Sequence, residues 1–126
     1  MSASAGGSVS PTIEQCSFAS LNQNAVTVAG TAGCFVAPTI SSNVINYNPT
    51  FNDQVHILCS VAGCTVSTTI IHNQMTWAGA NGNRGILVQG TPVAGLTVIR
   101  GNTITFGGCT NCGGTGISLN TFAGQV

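Results

Sequence analysis

Only four side chains of 126 carry a fixed charge: Glu14, Asp53, Arg84 and Arg100. Two histidines, His56 and His72, and six cysteines complete the set that could do chemistry. Hydrolysis by paired carboxylates needs two acids within about 5–10 Å of each other. Glu14 and Asp53 fall in different parts of the repeat described below, and its spacing does not bring them together. Cys109-Thr110-Asn111-Cys112 is a CxxC, which can be a redox pair, half a zinc site or a disulfide closing a loop. A redox cysteine needs a helix N-terminus to lower its pKa, whereas Gly107-Gly108 and Gly113-Gly114 place this one in a loop. A zinc site would need Cys59 and Cys64, or His56 and His72, to converge on it. The loop disulfide is the preferred reading, with Cys59–Cys64 as a second bridge. Cys34–Cys64 competes with that bridge, and Cys16–Cys34 would complete a local set; six cysteines allow 15 pairings. His56 alternates with Val55 and Ile57 and His72 lies at a turn before Asn73, so both are expected at the surface. No catalytic, metal-binding or cofactor-binding residue is assigned, and the chain is not expected to be an enzyme.

The elements that must position these residues repeat. Ala-Gly recurs at Ala5-Gly6, Ala32-Gly33, Ala62-Gly63, Ala94-Gly95 and Ala123-Gly124, at spacings of 27, 30, 32 and 29. Pro11-Thr12-Ile13 returns as Pro38-Thr39-Ile40, as Thr68-Thr69-Ile70 and more loosely as Val98-Ile99. Asn43, Asn73 and Asn102 follow three residues after those isoleucines, with Cys16 in that place in the first repeat. Tyr47, Trp77 and Phe106 come four residues later. Val26/Val28, Val55/Ile57, Ile86/Val88 and Ile117/Leu119 form a further row. Four independent rows share one register, which defines four coils of about thirty residues.

The stretch Leu96–Leu119, LTVIRGNTITFGGCTNCGGTGISL, with short β-branched runs broken by Gly and Asn turns, resembles one coil of the right-handed parallel β-helix, or pectin-lyase-like, repeat family. The resemblance implies an all-β solenoid of about four coils with three parallel sheets. Residues 1–4 are expected as a flexible tail and 5–126 as one domain. Equivalent residues should form ladders about 4.8 Å apart. Ile13, Ile40, Ile70 and Ile99 make one core row, and Phe18, Ile45, Met75 and Ile104 another. Tyr47, Trp77 and Phe106 form an aromatic ladder. Asn43, Asn73 and Asn102 form an amide ladder at a tight turn, where Asn tolerates left-handed φ. Carbohydrate cleavage is the activity most often carried on this fold. Such enzymes cluster several acids on one face, which this chain lacks; the resemblance is to a non-catalytic member.

Charged residues make up 3% of the chain against about 25% ordinarily, and formal net charge is zero. Charge repulsion therefore cannot keep copies apart. No basic patch suits nucleic acid, and no apolar run reaches the ~18 residues of a membrane span. The opening MSASAGGSVS lacks the charged region and apolar block of a signal peptide, so either a leader is already removed or the protein matures without secretion. Six cysteines favour an oxidising destination: extracellular, a cell or spore surface, or a virion.

These features point to a structural protein that polymerises with itself by end-to-end stacking into a filament, fibre or sheath. Terminal coils of a solenoid present unpaired backbone beside apolar core, and no amphipathic segment suggests a cap. The chain opens and closes at the same Ala-Gly point of the coil, so a next copy is expected to continue without a break. One residue past the isoleucine row come Glu14, Ser41, Ile71 and Arg100. Glu14 and Arg100 are expected to meet across each junction as the subunit interface. Asp53 and Arg84, 31 residues apart, should be stacked neighbours. The alternative is a carbohydrate- or ice-binding face built on Thr12, Thr39 and Thr69, with Thr27 and Thr65 also outward. Ser41, Ile71 and Arg100 interrupt the neighbouring row that such an array needs.

Overall fold

The computed structural model describes residues 1–19, 23–47, 53–59, 63–77, 84–90, 95–107 and 114–120. Apolar, mostly β-branched residues spaced two apart, such as Val55 and Ile57, favour extended chain with one buried face. Sixteen short strands form, with no helix among the described residues. The first pass of the coil is β1 (Ser2–Ala3), β2 (Ser8–Val9), β3 (Thr12–Glu14) and β4 (Ser17–Ala19). The second is β5 (Val26–Gly30), β6 (Phe35–Val36), β7 (Thr39–Ser41) and β8 (Val44–Tyr47), and the third is β9 (Val55–Cys59), β10 (Thr65–Val66), β11 (Thr69–Ile71) and β12 (Gln74–Trp77). Then follow β13 (Arg84–Gly90), β14 (Val98–Arg100), β15 (Thr103–Phe106) and β16 (Thr115–Asn120).

Successive passes pair in parallel, giving sheet A (β1-β5-β9-β13-β16), sheet B (β2-β6-β10), sheet C (β3-β7-β11-β14) and sheet D (β4-β8-β12-β15). The molecule is a parallel β-solenoid of about three turns. Four sheets form where three were expected: the chain leaves strand conformation between B and C at Ser10-Pro11, Ala37-Pro38 and Ser67-Thr68. Two of these three breaks carry a proline, which has no N–H to donate to a ladder. The flanking bonds persist: Ala37 N donates to Val9 O and Thr39 N to Pro11 O, both at 2.9 Å. In the third pass Thr68 takes the corner, buried, with its hydroxyl 3.3 Å from Pro38 O.

The core is a set of rows. Ile40 and Ile70 are buried between Ile13 and Ile99, and Ile45 and Met75 between Phe18 and Ile104. In sheet A the rows are Val26, Val55, Ile86, Ile117 and Val28, Ile57, Val88, Leu119. Gln54, also buried, spans the interior and donates to Thr76 O at 2.9 Å, tying sheet A to sheet D.

Three expectations are corrected. Residues 1–4 are not a free tail: Ser2 and Ala3 pair with Ala29 and Gly30 of β5. Ala62 and Ala94 lie outside the described residues, and the expected step from Gly63 to Gly95 is off, since the register Thr69↔Val98 sets Gly95 beside Val66. There is no room for a side chain there, because a Cβ would run into Val66 O. The left-handed residue at the tight turn precedes the asparagine: φ is 54° at Gln15, 56° at Ser42, 55° at His72 and 63° at Gly101. The asparagines are instead set by their amides.

Candidate functional site at the coil ends

Each interior rung closes its core with walls from sheets A, C and D; the first and last do not. At the N-terminal end an open cavity of about 610 Å³ is lined by Ile13, Glu14, Phe18, Ala25 and Val26, with Met1 at its edge. Only β1 covers sheet A there, and it pairs with two of the five residues of β5. At the C-terminal end Ile99, Ile104, Phe106 and Leu119 are half-exposed and Ile117 is 45% exposed. Ile117 aligns with Ile86, which is fully buried. Ile86 has a strand stacked on each side, whereas Ile117 lies on the end strand of sheet A, and the core across from it lacks the walls of a next pass among the described residues. Among the described residues, β3 and β4 are sheet edges at one end and β14 and β15 at the other.

The sequence-assigned charges sit on these edges. The register runs Glu14↔Ser41↔Ile71↔Arg100 through sheet C, and both charged residues are exposed. Three steps of about 4.8 Å separate them, too far for contact within one molecule.

The amide ladder gives the coil a polarity. Asn102 Oδ1 accepts from Asn73 N and Nδ2, both at 2.9 Å. Asn73 Oδ1 accepts from Asn43 N at 3.0 Å and Nδ2 at 2.9 Å, and Asn43 Oδ1 accepts from Cys16 N at 3.0 Å. Each Nδ2 also donates to the carbonyl of an isoleucine one pass earlier: Ile13, Ile40 or Ile70. Beside the ladder, Tyr47, Trp77 and Phe106 pair in register. Trp77 is buried and meets Phe106 edge-on, with ring centroids 5.3 Å apart.

Asp53 and Arg84 are stacked neighbours. The Arg84 guanidinium donates from Nε to Asp53 Oδ1 at 2.8 Å, and Arg84 N donates to the same oxygen at 3.3 Å. Asp53 is 5% exposed, so this pair is shielded on its acidic side. His56 lies 3.7 Å from Asp53 Oδ2 and is half-buried, where the alternation with Val55 and Ile57 pointed to the surface. Burial pulls its pKa below 6.5; the Asp53 carboxylate opposes that shift and the Arg84 charge adds to it. Asn24 joins the group, donating Nδ2 to His56 Nδ1 at 3.2 Å and accepting from Asp53 N at 2.9 Å. Asn24 was not singled out from sequence, although it precedes Asp53 by nearly the Asp53–Arg84 step. This cluster clamps the register of three passes. His72 is exposed, and its ring lies where a Cβ at Gly101 would stand.

Cys59 and Cys64 form a disulfide. Cys34–Cys64 and Cys16–Cys34 are not formed: Cys34 is a buried free thiol bonded to Ser4 O at 2.8 Å, and Cys16 is free and exposed. Cys64 follows Cys34 up the stack, but Cys59, five residues before it in the chain, takes the bond. Cys109 and Cys112 lie outside the described residues. No three His, Cys, Asp or Glu side chains gather as a metal site among the described residues. Glu14 belongs to sheet C and Asp53 precedes β9 of sheet A. Among the described residues no helix is long and apolar enough to cross a membrane.

Fold and site together define a parallel β-solenoid with incomplete end rungs. No family model, curated protein or solved structure matches the chain.

Proposed function

We propose that this protein is a non-catalytic, pectin-lyase-like right-handed β-helix and a structural subunit that polymerises head to tail into a filament or sheath. The observation that carries this reading is the pairing of opposites at the two ends. Edge strand β3 carries Glu14 and edge strand β14 carries Arg100, in one row of sheet C. A second copy set on β14 and β15 brings Glu14 one rung from Arg100. Head-to-head contact would place like charges together, so the charges select the direction of assembly. Open parallel edges supply backbone hydrogen bonds, and a nearly uncharged surface offers little repulsion. The Cys59–Cys64 bridge is compatible with an extracellular or surface location. A flat binding array of threonines is less well supported, because the row Thr12, Thr39, Thr69 ends at Val98.

Charge reversal tests the reading. The wild type should form filaments in negative-stain images and sediment as polymer. Glu14→Arg should reduce the sedimented fraction severalfold, and Glu14→Arg with Arg100→Glu should restore part of it. Discrete monomers of wild type at high concentration would refute the assembly. A single reversal that assembles like wild type would refute this junction.

A further inference from the structure

Taking that head-to-tail reading as its basis, we infer that assembly proceeds by strand exchange: β16 of one copy displaces β1 of the next and pairs with its β5. The reason is a conflict in sheet A. Among the described residues sheets C and D hold four strands each, but sheet A holds five. When β3 and β4 of an incoming copy settle on β14 and β15, its β1 falls at the level already occupied by β16. Two strands cannot share one slot about 4.8 Å wide. The break-free continuation expected from the matching Ala-Gly ends therefore overcounts by one strand.

The weaker strand leaves. β1 pairs with β5 at two positions, Ser2↔Ala29 and Ala3↔Gly30. β16 pairs with β13 at five. Carrying the sheet A rows across the junction sets Ile117 beside Val26, Ser118 beside Thr27, Leu119 beside Val28 and Asn120 beside Ala29. These neighbours follow from the rows Val26, Val55, Ile86, Ile117 and Val28, Ile57, Val88, Leu119. The exchanged pairing covers four residues and brings two apolar rows, where the present cover is the three-residue stretch Met1–Ala3, held by Met1 N to Thr27 O, Ala29 N to Met1 O and Thr31 N to Ala3 O.

The side chains complement each other too. The cavity over Val26 is walled by Ile13 and Phe18, and the first pass of sheet A supplies only Met1, itself 68% exposed, with nothing in the Val26 row. Ile117 lies in the inward row of sheet A on its end strand, and among the described residues no strand lies beyond it and no walls from sheets C and D face it; it is 45% exposed. One copy supplies the wall the other is missing. The junction rung is then a hybrid, with sheet A from β16 and sheets C and D from β3 and β4 of the next copy. The cavity is the seat of Ile117 from a second copy, and β1 is its temporary cover.

Two thiol experiments test this. Ser2→Cys with Ala29→Cys places adjacent cysteines on the outward face of β1 and β5, at a Cα spacing within disulfide range. Oxidised, this variant should sediment as polymer at least tenfold less than wild type. Mild reduction should restore assembly, with wild type under the same reductant as control. Ser118→Cys mixed with Thr27→Cys should give a covalent heterodimer on oxidation, since exchange makes those positions neighbours between copies. If the oxidised locked variant polymerises like wild type, or the mixed variants polymerise without cross-linking, exchange is overturned while head-to-tail assembly stands. If wild type itself stays monomeric, the assembly reading and the exchange fall together.

Discussion

Replacing Asn73 by alanine perturbs the solenoid at its most internally bonded polar side chain. Asn73 is fully buried, and its amide makes five hydrogen bonds, to Ile40 O, Ile71 O, Asn102 Oδ1, Asn43 N and Asn43 Nδ2. Several partners keep another bond after truncation: Ile71 O still accepts from Ser42 N, and Asn43 Nδ2 still donates to Ile13 O. Ile40 O keeps its place in the ladder between β7 and β11, so Asn43 N is the group that loses its partner inside the turn. A buried polar group left unpaired costs about 1–3 kcal/mol, and with the vacated volume and the lost amide bonds the total is roughly 2–5 kcal/mol. That is a large part of a total of about 5–15 kcal/mol. Asn102→Ala provides the internal standard, because Asn102 sits half-exposed at the end of the ladder. Water can replace its bonds there, and the loss should be about 1–2 kcal/mol. Asn73→Asp should be at least as damaging as alanine at neutral pH, since its carboxylate would face three acceptor oxygens. Urea unfolding at dilutions that keep the protein monomeric, followed by Trp77 fluorescence, measures all three. A loss below about 1 kcal/mol for Asn73→Ala, or one no larger than for Asn102→Ala, would refute the ladder as a main source of turn stability.

Trp77→Ala should cost about 3–5 kcal/mol, as a buried aromatic truncated beside Phe106; a loss below about 1 kcal/mol in the same assay, followed by circular dichroism, would contradict its packing. His56 makes stability depend on pH in one direction. Its folded pKa lies below the unfolded 6.5, so the native state binds fewer protons than the unfolded chain between the two values. Its contribution is complete above the unfolded pKa and is lost as pH falls through the folded one. The urea midpoint should therefore drop on acidification from about pH 7 to 5, and His56→Gln should flatten that drop; equal slopes would refute it.

Much of the solenoid is legible in one dimension because a stacked coil is a translation. Residues about thirty apart become neighbours, so the rows Ile13–Ile99 and Phe18–Ile104, the amide ladder and the Asp53–Arg84 pair can all be counted along the chain. The Gly95 misalignment shows the limit of such counting. A recurring dipeptide outside the strands carries no register of its own, whereas the strand register is held by hydrogen bonds on both sides. Left-handed φ at Ser42 and His72 was equally illegible, since both residue types are ordinary elsewhere and only the turn forces them.

By itself the sequence determined the rows, their parallel stacking and the placement of Glu14 and Arg100 at opposite ends of one of them. Tertiary structure alone decided what faces what across the coil. No period links Gln54 to Thr76, burial of His56 depends on the group assembled around it, and the Cys59–Cys64 bridge was one of several spacings allowed. It also decided that Ser2 and Ala3 pair as a strand and that Ile117 is left uncovered. A repeat specifies the neighbour above and below each residue; closure of the coil, and where that closure stops, depends on walls contributed by distant segments.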